Sequence, residues 1–302
     1  MNRVALVLTG TLLSASLCLS PVNERIQCVN FPDPIVETNI KNIEISSEKQ
    51  SKKIPKDTKI EINLPGTILR YFEDDSLIMQ TPTCIGARSS YVKYTGGYQS
   101  FKTPIKNTEI TNVKKDPWWI PNPKSAWSWG QKPVPPGSTN PLGPYILVIG
   151  NSSYYIHGTI KPYQLGQDAS HGCVRIHSDS VSFLAPRVKE IMDNQKIVKC
   201  DIYYDISEIY CLSKRDQYYA VRIYPDLYRN TPNRIESIID DFEDIGLVLN
   251  EKSREEIRKN LIWEGIMFFY YTEEGLKFQG SISDWRLSRK IYLGKEMFVY
   301  KN

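Results

Sequence analysis

The chain has 302 residues, of which 41% are hydrophobic and 24% charged, and its formal net charge is +4. These values are typical of soluble globular proteins and exclude a disordered chain, a collagen-like chain and a protein with several membrane spans. The balance of 38 basic and 34 acidic residues is too even for most nucleic-acid-binding proteins, so nucleic acid is not an expected partner.

The first 20 residues predict export. Arg3 is followed by apolar and small residues from Val4 to Leu19, and then by Pro21. That run is shorter than the roughly 20 residues of a membrane-spanning helix, and its order is that of a secretory signal peptide. We therefore expect residues 1–20 to be a signal peptide and the protein to act in the periplasm or cell wall. Membrane anchoring is the alternative if the segment is retained.

Export changes how the cysteines are interpreted, because exported proteins commonly form disulfides. One of the six cysteines lies in the predicted signal, which leaves Cys28, Cys84, Cys173, Cys200 and Cys211. Since five is odd, at least one thiol is expected to be unpaired within the chain. The spacing of Cys200 and Cys211 would suit a hairpin disulfide, but sequence leaves the pairing open. No C-x-x-C pair or histidine spacing predicts a metal site.

The predicted elements begin after a polar, Lys/Ser-rich tether at residues 21–57. KIEINLP predicts a strand, and ILRYFE and SLIMQTP predict a hairpin around Asp74-Asp75. Residues 84–145 are rich in Gly and Pro and are predicted to be mainly loop. Within and after them, YILVIG and YYIHGT predict two strands.

A helix is predicted over residues 178–194, where apolar residues recur at helical spacing. Ser178 or Asp179 would cap it, and Pro186 indicates a kink or a later start. KIVKCDIYYD and YYAVRIYP predict further strands.

A second unit is predicted from about Asn230, because RIESIIDDFEDIGLVL and SREEIRKNLIWEGIMFFYY both have helical patterns. Short strands follow them. We therefore expect a middle domain at residues 58–228 and a small α+β extension at residues 229–302. The extension is interpreted as a packed helix pair, with a cell-wall docking module as the alternative.

The residues suited to catalysis are concentrated in IHGTIKPYQLGQDASHGCVRI. Cys173 is a nucleophile only as a thiolate and needs a basic neighbour, for which His157 and His171 are both candidates. Gly172 allows a sharp turn that would point backbone N–H groups at a developing oxyanion. Arg175 offers a planar guanidinium for a carboxylate. The pattern predicts acyl transfer through a thioester, with a structural cysteine and structural histidines as the alternative.

The same segment resembles the catalytic signature of the YkuD-type (ErfK/YbiS-like) L,D-transpeptidase family. In that family a His-Gly-Thr turn precedes a Ser-His-Gly-Cys motif, which is followed by an apolar residue and Arg. Here the two motifs are His157-Gly158-Thr159 and Ser170-His171-Gly172-Cys173-Val174-Arg175. PPGSTNPLGPY is similar to the family's Pro-Gly…Asn-Pro-Leu-Gly segment, and KDPWWIPNP is similar to its aromatic-proline loop. The resemblance covers residues 58–228 and implies a mainly β fold, a YkuD-like β-sandwich domain with a short helix.

Roles for individual residues follow from this resemblance. It implies that Cys173 is the nucleophile and that His157 removes its proton. The carbonyl of Gly158 would orient the imidazole, and the N–H groups of Gly172 and Cys173 would stabilise the oxyanion. The residues implied to bind or shape the site for substrate are Thr159, Ser170, His171, Arg175 and Trp119.

The implied reaction uses peptidoglycan stem peptides and no metal or organic cofactor. Cys173 would cleave the bond between the third, L-configured residue and the terminal D-alanine of a tetrapeptide donor. The amine of a second stem peptide or of a lipoprotein lysine would then accept the acyl group, and carbapenems are expected inhibitors. A carboxypeptidase or related hydrolase with the same Cys/His pair and a non-catalytic wall-binding protein remain alternatives.

Four tryptophans lie close together in the sequence, Trp118, Trp119, Trp127 and Trp129. We expect them either to flank a groove for glycan or to pack within their own loop.

Overall fold

The computed structural model describes residues 54–213, 217–231 and 233–283. It also gives the backbone of two short antiparallel strands, β1 (Ser16–Cys18) and β2 (Cys28–Asn30). The predicted signal peptide and nearly all of the tether otherwise lie outside the described residues. The described residues form two compact units, the larger unit (54–205 and 225–230) and the smaller unit (206–224 and 231–283).

The larger unit contains most of the strands and one long helix. Its strands are β3 (Thr58–Asn63), β4 (Ile68–Glu73), β5 (Ser76–Pro82), β6 (Ile85–Gly86), β7 (Ser90–Val92), β8 (Gly97–Gln99), β9 (Lys106–Lys115), β10 (Tyr145–Ile149), β11 (Tyr155–His157), β12 (Asp168–Ser170), β13 (Val174–Arg175) and β14 (Lys199–Tyr203). Its α-helix is α1 (Ser178–Asp193), and single 3₁₀ turns lie at Ala126–Ser128 and Pro162–Gln164.

Eight of these strands form one sheet in the order β13-β11-β10-β9-β14-β3-β4-β5. The β11–β13 and β14–β3 pairs are parallel and the other pairs are antiparallel. The β4–β5 hairpin predicted around Asp74-Asp75 is confirmed. Both aspartates have positive φ, 47° and 65°, as the tight two-residue turn of a hairpin requires.

Strand β9 corrects the prediction that residues 84–145 are mainly loop. This ten-residue strand lies in the sheet between β10 and β14, so both of its edges are paired. Its sequence, KNTEITNVKK, is polar, and Ile110 is its one fully buried residue. Hydrophobic patterning could not reveal it, because the strand is held mainly by backbone hydrogen bonds on both sides.

Helix α1 confirms the helix predicted over residues 178–194. Its N-cap is His177, whose side chain accepts a hydrogen bond from the Asp179 N–H, so neither predicted capping residue serves as the cap. The helix begins at Ser178 and continues through Pro186. Its buried face joins the core of the sheet through Val181, Leu184, Val188 and Ile191.

The smaller unit is an antiparallel sheet with two helices. Its elements are β15 (Ser207–Ser213), β16 (Tyr218–Ile223), α2 (Arg234–Asp244), α3 (Glu251–Asn260), β17 (Gly265–Thr272) and β18 (Gly275–Ile282), with strand order β15-β16-β17-β18. Its core contains Val221, Ile238, Phe242, Ile257 and Phe269.

Two features of this unit differ from the sequence-based division. Strand β16 lies before residue 228, yet it pairs with β17 over six residue pairs, so residues 206–224 form part of the smaller unit. The second helical pattern ends at Asn260, and GIMFFYYT forms β17. Adjacent aromatic and branched residues suit a strand that contributes to this core, and that packing overrides the helical spacing.

The prediction of a mainly β protein is confirmed by these elements. Within the described ranges, Cys84, Cys173, Cys200 and Cys211 are all free thiols, so the possible hairpin disulfide between Cys200 and Cys211 is not formed. The described helices include none with the length and apolar character needed to cross a membrane.

An ion pair fastens α1 to the sheet. Arg187 on α1 donates from Nε and Nη2 to the two carboxylate oxygens of Glu73 on β4, at 2.7 and 2.9 Å. Glu73 also accepts from the Tyr71 hydroxyl at 2.7 Å, and Arg187 donates to Glu190 at 2.7 Å. The guanidinium is buried, and these carboxylates raise the pKa of Arg187 further above its usual value.

We expect Arg187→Met to lower the free energy of unfolding by about 3–5 kcal/mol, because it leaves the Glu73 carboxylate without its bidentate partner. The matched control is Lys189→Met on the same helix, where the exposed pair with Asp193 should contribute about 0.5 kcal/mol or less. Urea unfolding of both variants measures the difference. Equal stability of the two variants would contradict this account.

Candidate active site

The two motif segments lie on neighbouring parallel strands at one end of the large sheet. His157 is the last residue of β11, and Cys173 immediately precedes β13. In the register of this pair, Ile156 lies opposite Val174 and His157 lies opposite Arg175. Residues 157 and 175 therefore present their side chains on the same face of the sheet.

His157 is buried, with 4% of its surface exposed, and its ring is held by the neighbouring backbone. Nδ1 lies 2.6 Å from the carbonyl oxygen of Gly158. Since a carbonyl oxygen only accepts, Nδ1 carries the proton and Nε2 of the neutral ring keeps its lone pair. Burial lowers the pKa of His157 to about 4, and the charge of Arg175 acts in the same direction. The ring is thus neutral near pH 7 and can act as a base.

Two glycines make this arrangement possible. The backbones of Gly143 and Gly158 are in contact, and a Cβ on Gly143 would lie 2.9 Å from the Gly158 Cα. Gly143 also has a φ of +67°, which side chains disfavour. The Pro-Leu-Gly sequence thus packs directly against the peptide whose carbonyl orients His157.

Ser170 and Gly172 shape the turn that carries the cysteine. The Ser170 hydroxyl accepts from the Gly172 N–H at 3.0 Å and donates to the Cys173 carbonyl at 2.5 Å. Gly172 has a φ of +110°, and a Cβ there would lie 2.5 Å from a ring carbon of Tyr154. The buried Ser170 side chain is engaged within the turn, so it acts on the position of Cys173 and not as an exposed substrate contact.

Thr103 also holds this turn through hydrogen bonds. Its hydroxyl donates to the Gly172 carbonyl and accepts from the Gly86 N–H, both at 2.9 Å. The Tyr228 hydroxyl accepts from the Thr103 N–H at 3.1 Å and donates to the Gly86 carbonyl at 2.5 Å. The return of residues 225–230 to the larger unit thereby supports the cysteine turn.

The two N–H groups predicted to form the oxyanion hole, those of Gly172 and Cys173, differ in their hydrogen bonding in this structure. The Gly172 N–H is directed to the Ser170 hydroxyl, so it is not a free donor in this structure. The Cys173 N–H, by contrast, has no acceptor in the described part of the chain. Of the two predicted donors, Cys173 alone is available to a developing oxyanion.

The thiol of Cys173 is not paired with His157 in this structure. Among the described residues, its hydrogen-bond acceptor is the Ser153 carbonyl, 4.0 Å from Sγ. Burial raises the pKa of Cys173, while the Tyr155 N–H and the charge of Arg175 partly oppose this. The resting site therefore holds a neutral thiol and a neutral imidazole, without a preformed thiolate–imidazolium pair.

The positive charge of Arg175 acts on both reactive groups and lowers the pKa of His157 and of Cys173. Its Nη1 donates to Gln164 Oε1 at 2.9 Å, which fixes the guanidinium against the 3₁₀ turn at Pro162–Gln164. Its backbone forms two hydrogen bonds with Cys84, at 2.8 and 2.9 Å. Cys84 is a buried thiol whose pKa is raised by burial, and it was not expected beside the site.

His171 lies between two aromatic rings and not at the His157 position. It is stacked on Trp127, with ring centroids 4.0 Å apart and planes 7° apart, and it meets the edge of Phe101 at 4.7 Å. Burial lowers its pKa to about 4, with smaller contributions from Arg175 and Lys161. His171 is thus packed between aromatic rings, whereas His157 is the histidine oriented by a backbone carbonyl. Sequence spacing alone could not distinguish these two environments.

Thr159 and Trp119 occupy supporting positions. The Thr159 side chain is buried and accepts from the Lys161 N–H at 3.0 Å. Trp119 forms a two-bond bridge with Val134, and no hydrogen bond or ring contact joins its side chain to the cysteine turn within the described ranges. Trp127 is the tryptophan that contacts a motif residue. Its signal in the sequence was only its membership of a tryptophan-rich loop.

Asn140 organises that loop, which we call the aromatic loop (residues 117–142). Its side-chain amide nitrogen lies 2.7 Å from the Pro117 carbonyl and 3.1 and 3.2 Å from those of Pro135 and Val134. Its Oδ1 accepts from the Leu142 N–H at 2.9 Å. Asn140 is fully buried and joins both ends of the loop, so it fixes a segment that has little regular structure.

The fold and the site thus define a mainly β domain with a cysteine and a backbone-oriented histidine on neighbouring strands. Residues 57–199 match the family model of YkuD, the L,D-transpeptidase catalytic domain. This part of the chain is therefore similar to the YkuD L,D-transpeptidase catalytic domain.

Curated relatives match over a similar part of the chain. The probable L,D-transpeptidase YbiS of Escherichia coli is 38% identical over 93 residues, which cover 28% of this chain and 30% of that protein. The probable L,D-transpeptidase ErfK/SrfK of the same organism is 31% identical over 87 residues, or 27% and 28% of the two chains. The chain thus spans about a third of the length of these relatives.

Solved structures of L,D-transpeptidases also align with the chain. One from Mycobacterium tuberculosis has 11% identity and a TM-score of 0.33, and the alignment covers 48% of this chain and 57% of that one. L,D-transpeptidase 3 from the same organism, determined with a faropenem-derived adduct, has 10% identity and a TM-score of 0.34, covering 48% and 59%.

A neutral resting thiol predicts that Cys173 reacts slowly with iodoacetamide at pH 7, because the alkylated species is the thiolate. The exposed Cys211 should be modified faster, and the buried Cys84 and Cys200 should be protected until the protein unfolds. Time-resolved mass spectrometry of the corresponding peptides measures these rates. Faster alkylation of Cys173 than of Cys211 at pH 6 would instead show a preformed thiolate.

Proposed function

We propose that the protein is a cysteine-dependent L,D-transpeptidase that acts on peptidoglycan stem peptides. The donor is a tetrapeptide, which is cleaved between its third, L-configured residue and the terminal D-alanine. The acceptor is an amine, from a second stem peptide in a 3→3 cross-link or from a lipoprotein lysine. The match of residues 57–199 to the YkuD family model and the motifs on β11 and before β13 support this proposal.

The hydrogen bond between His157 and Gly158 is the observation that carries the mechanism. It leaves Nε2 of a neutral imidazole as the proton acceptor on the face of the sheet that leads to the cysteine turn. For this transfer, the Cys173 side chain would leave the Ser153 carbonyl and turn its S–H toward Nε2. Deprotonation then accompanies attack on the substrate, as in general base catalysis.

Acylation begins when Sγ of Cys173 bonds to the carbonyl carbon of the third residue and its proton moves to His157. The resulting oxyanion accepts a hydrogen bond from the Cys173 N–H. As the intermediate collapses, the C–N bond to D-alanine breaks and His157 returns the proton to the departing amine. A thioester remains on Cys173.

The second half-reaction reverses these roles. The acceptor amine attacks the thioester carbonyl and gives a proton to His157, the C–S bond breaks, and the proton returns to the thiolate. Arg175, already oriented by Gln164, provides positive charge for a carboxylate of the substrate. A carbapenem would acylate the same sulfur through opening of its β-lactam ring.

We further propose that residues 1–20 direct export and that the reaction takes place in the periplasm or cell wall. Its support is the order of a basic residue, an apolar core and small residues at this position. N-terminal sequencing of protein from the envelope fraction tests it, since recovery of an intact N-terminus in the cytosol would contradict export.

Incubation with disaccharide-tetrapeptide tests the reaction. The wild type should release D-alanine and form dimers detectable by mass spectrometry, and Cys173→Ala should form none. Replacing His157 with Ala should lower kcat by about 10²–10⁴-fold, as expected for loss of a general base. Cys211→Ala is the matched control and should retain wild-type turnover.

Other products would change the assignment. Tripeptide monomers without dimers, formed through Cys173, would identify a carboxypeptidase that uses water as the acceptor. Absence of any Cys173-dependent product under reducing conditions would contradict the enzyme and favour a wall-binding protein.

A further inference from the structure

The hairpin formed by β7 and β8 presents three large aromatic side chains to solvent. Tyr91, Tyr94 and Tyr98 are exposed over 58%, 54% and 76% of their surfaces. Tyr91 and Tyr98 are register partners, and their rings meet edge to face with centroids 5.6 Å apart. The hairpin is anchored by Val92, which is buried. The tyrosines are therefore held in place without being part of a core.

Trp129 of the aromatic loop extends this surface. Its ring is 46% exposed and lies 6.1 Å from that of Tyr94, and its Nε1 donates to the Pro123 carbonyl at 2.9 Å. The Tyr94 hydroxyl lies against Gly130, where a Cβ would come within 2.4 Å of it. Gly130 thus leaves space for Tyr94 and lets the hairpin contact the aromatic loop. We call Tyr91, Tyr94, Tyr98 and Trp129 the aromatic platform.

The hairpin that carries three platform residues is joined to the candidate active site at its base. At the base of the hairpin, the Ala87 N–H donates to the Ser170 carbonyl and the Phe101 N–H donates to the Ala87 carbonyl, both at 2.9 Å. The Phe101 ring then meets His171, which is stacked on Trp127 of the aromatic loop. Aromatic rings therefore adjoin the cysteine turn where the hairpin and the aromatic loop meet it.

The chemistry of this surface suits a carbohydrate partner. Exposed aromatic faces carry negative potential that attracts the polarised C–H bonds of sugar rings, while phenol hydroxyls offer hydrogen bonds. Residues 88–132 contain eight basic and two acidic residues, which suits a glycan substituted with acidic peptides.

We propose that the aromatic platform binds the glycan strand of peptidoglycan and thereby presents the attached stem peptide to Cys173. This inference rests on the proposed function for its substrate class. It assigns the sugar backbone to Tyr91, Tyr94, Tyr98 and Trp129, and the peptide to the cysteine turn. Binding of the glycan alone should therefore be measurable without turnover.

The test uses the full-length protein with Cys173→Ala, so that chemistry cannot occur. The probe is purified peptidoglycan glycan strands from which an amidase has removed the stem peptides. Quenching of tryptophan fluorescence or isothermal titration gives the dissociation constant. Adding Tyr91→Ala and Tyr98→Ala should weaken binding about tenfold, with each stacked ring contributing about threefold.

Tyr270→Ala is the matched control, since Tyr270 is an exposed tyrosine on a strand of the smaller unit. It should bind the strands as tightly as the parent. Equal affinity of the Tyr91/Tyr98 variant and the parent for the glycan strands would overturn the proposal. Binding to an anionic polymer such as polyglutamate, without binding to the glycan strands, would also overturn it.

Kinetics separate this inference from the proposed function. In a chain with Cys173 intact, Tyr91→Ala and Tyr98→Ala should raise KM for disaccharide-tetrapeptide while leaving kcat/KM for the sugar-free tetrapeptide unchanged. An equal loss on both substrates would overturn the glycan assignment. If neither substrate is turned over but the platform variants still lose glycan binding, the proposed activity fails and the glycan site stands.

Discussion

The geometry of the site depends on one hydrogen bond, from His157 Nδ1 to the carbonyl of the next residue. In triads this orienting role usually falls to a carboxylate, whose charge stabilises the imidazolium. Here the partner is a neutral peptide carbonyl, and its position is set by the contact between the Gly143 and Gly158 backbones. The tautomer of the base is therefore fixed by backbone packing and not by a charged side chain.

Neutrality at rest follows from the same arrangement. Burial lowers the pKa of His157 to about 4, and it raises the pKa of Cys173. Below pH 6.5 the unfolded chain takes up a proton at this histidine, whereas folded His157, with a pKa of about 4, does not, so the fold should lose stability as the pH falls from about 6.5 to about 4. A thiol that stays protonated also resists oxidation better than a thiolate.

Sequence patterns predicted the regular parts of the fold and the residues of the motif. The alternation in β3 and the stripe of α1 each reflect burial of one face, whereas the apolar run of β10 reflects burial of both faces, since Ile146 and Leu147 are adjacent and both buried. Strand β9 has no hydrophobic pattern by which it could be predicted, because its pairing relies on backbone groups. The sequence of β17 predicts a helix because its aromatic residues also fit helical spacing.

The roles of individual site residues could be assigned only from the three-dimensional structure. The motif places Ser170 and Gly172 beside Cys173, but their mutual hydrogen bond determines that Gly172 is not a free oxyanion donor. Likewise, no spacing rule relates Trp127 to His171 or Thr103 to the cysteine turn. These contacts join segments that are far apart in the chain, and loops such as residues 117–142 carry no periodic signal.

The state of the His157 ring tests the central claim most directly. Long-range ¹H–¹⁵N NMR of ¹⁵N-histidine-labelled protein, assigned with His157→Gln among the three histidines, reports the tautomer and its titration. We predict a proton on Nδ1, a free Nε2 at pH 7 and a midpoint of about 4. A proton on Nε2 at pH 7, or a midpoint at the ordinary value of 6.5, would contradict the backbone-oriented neutral base.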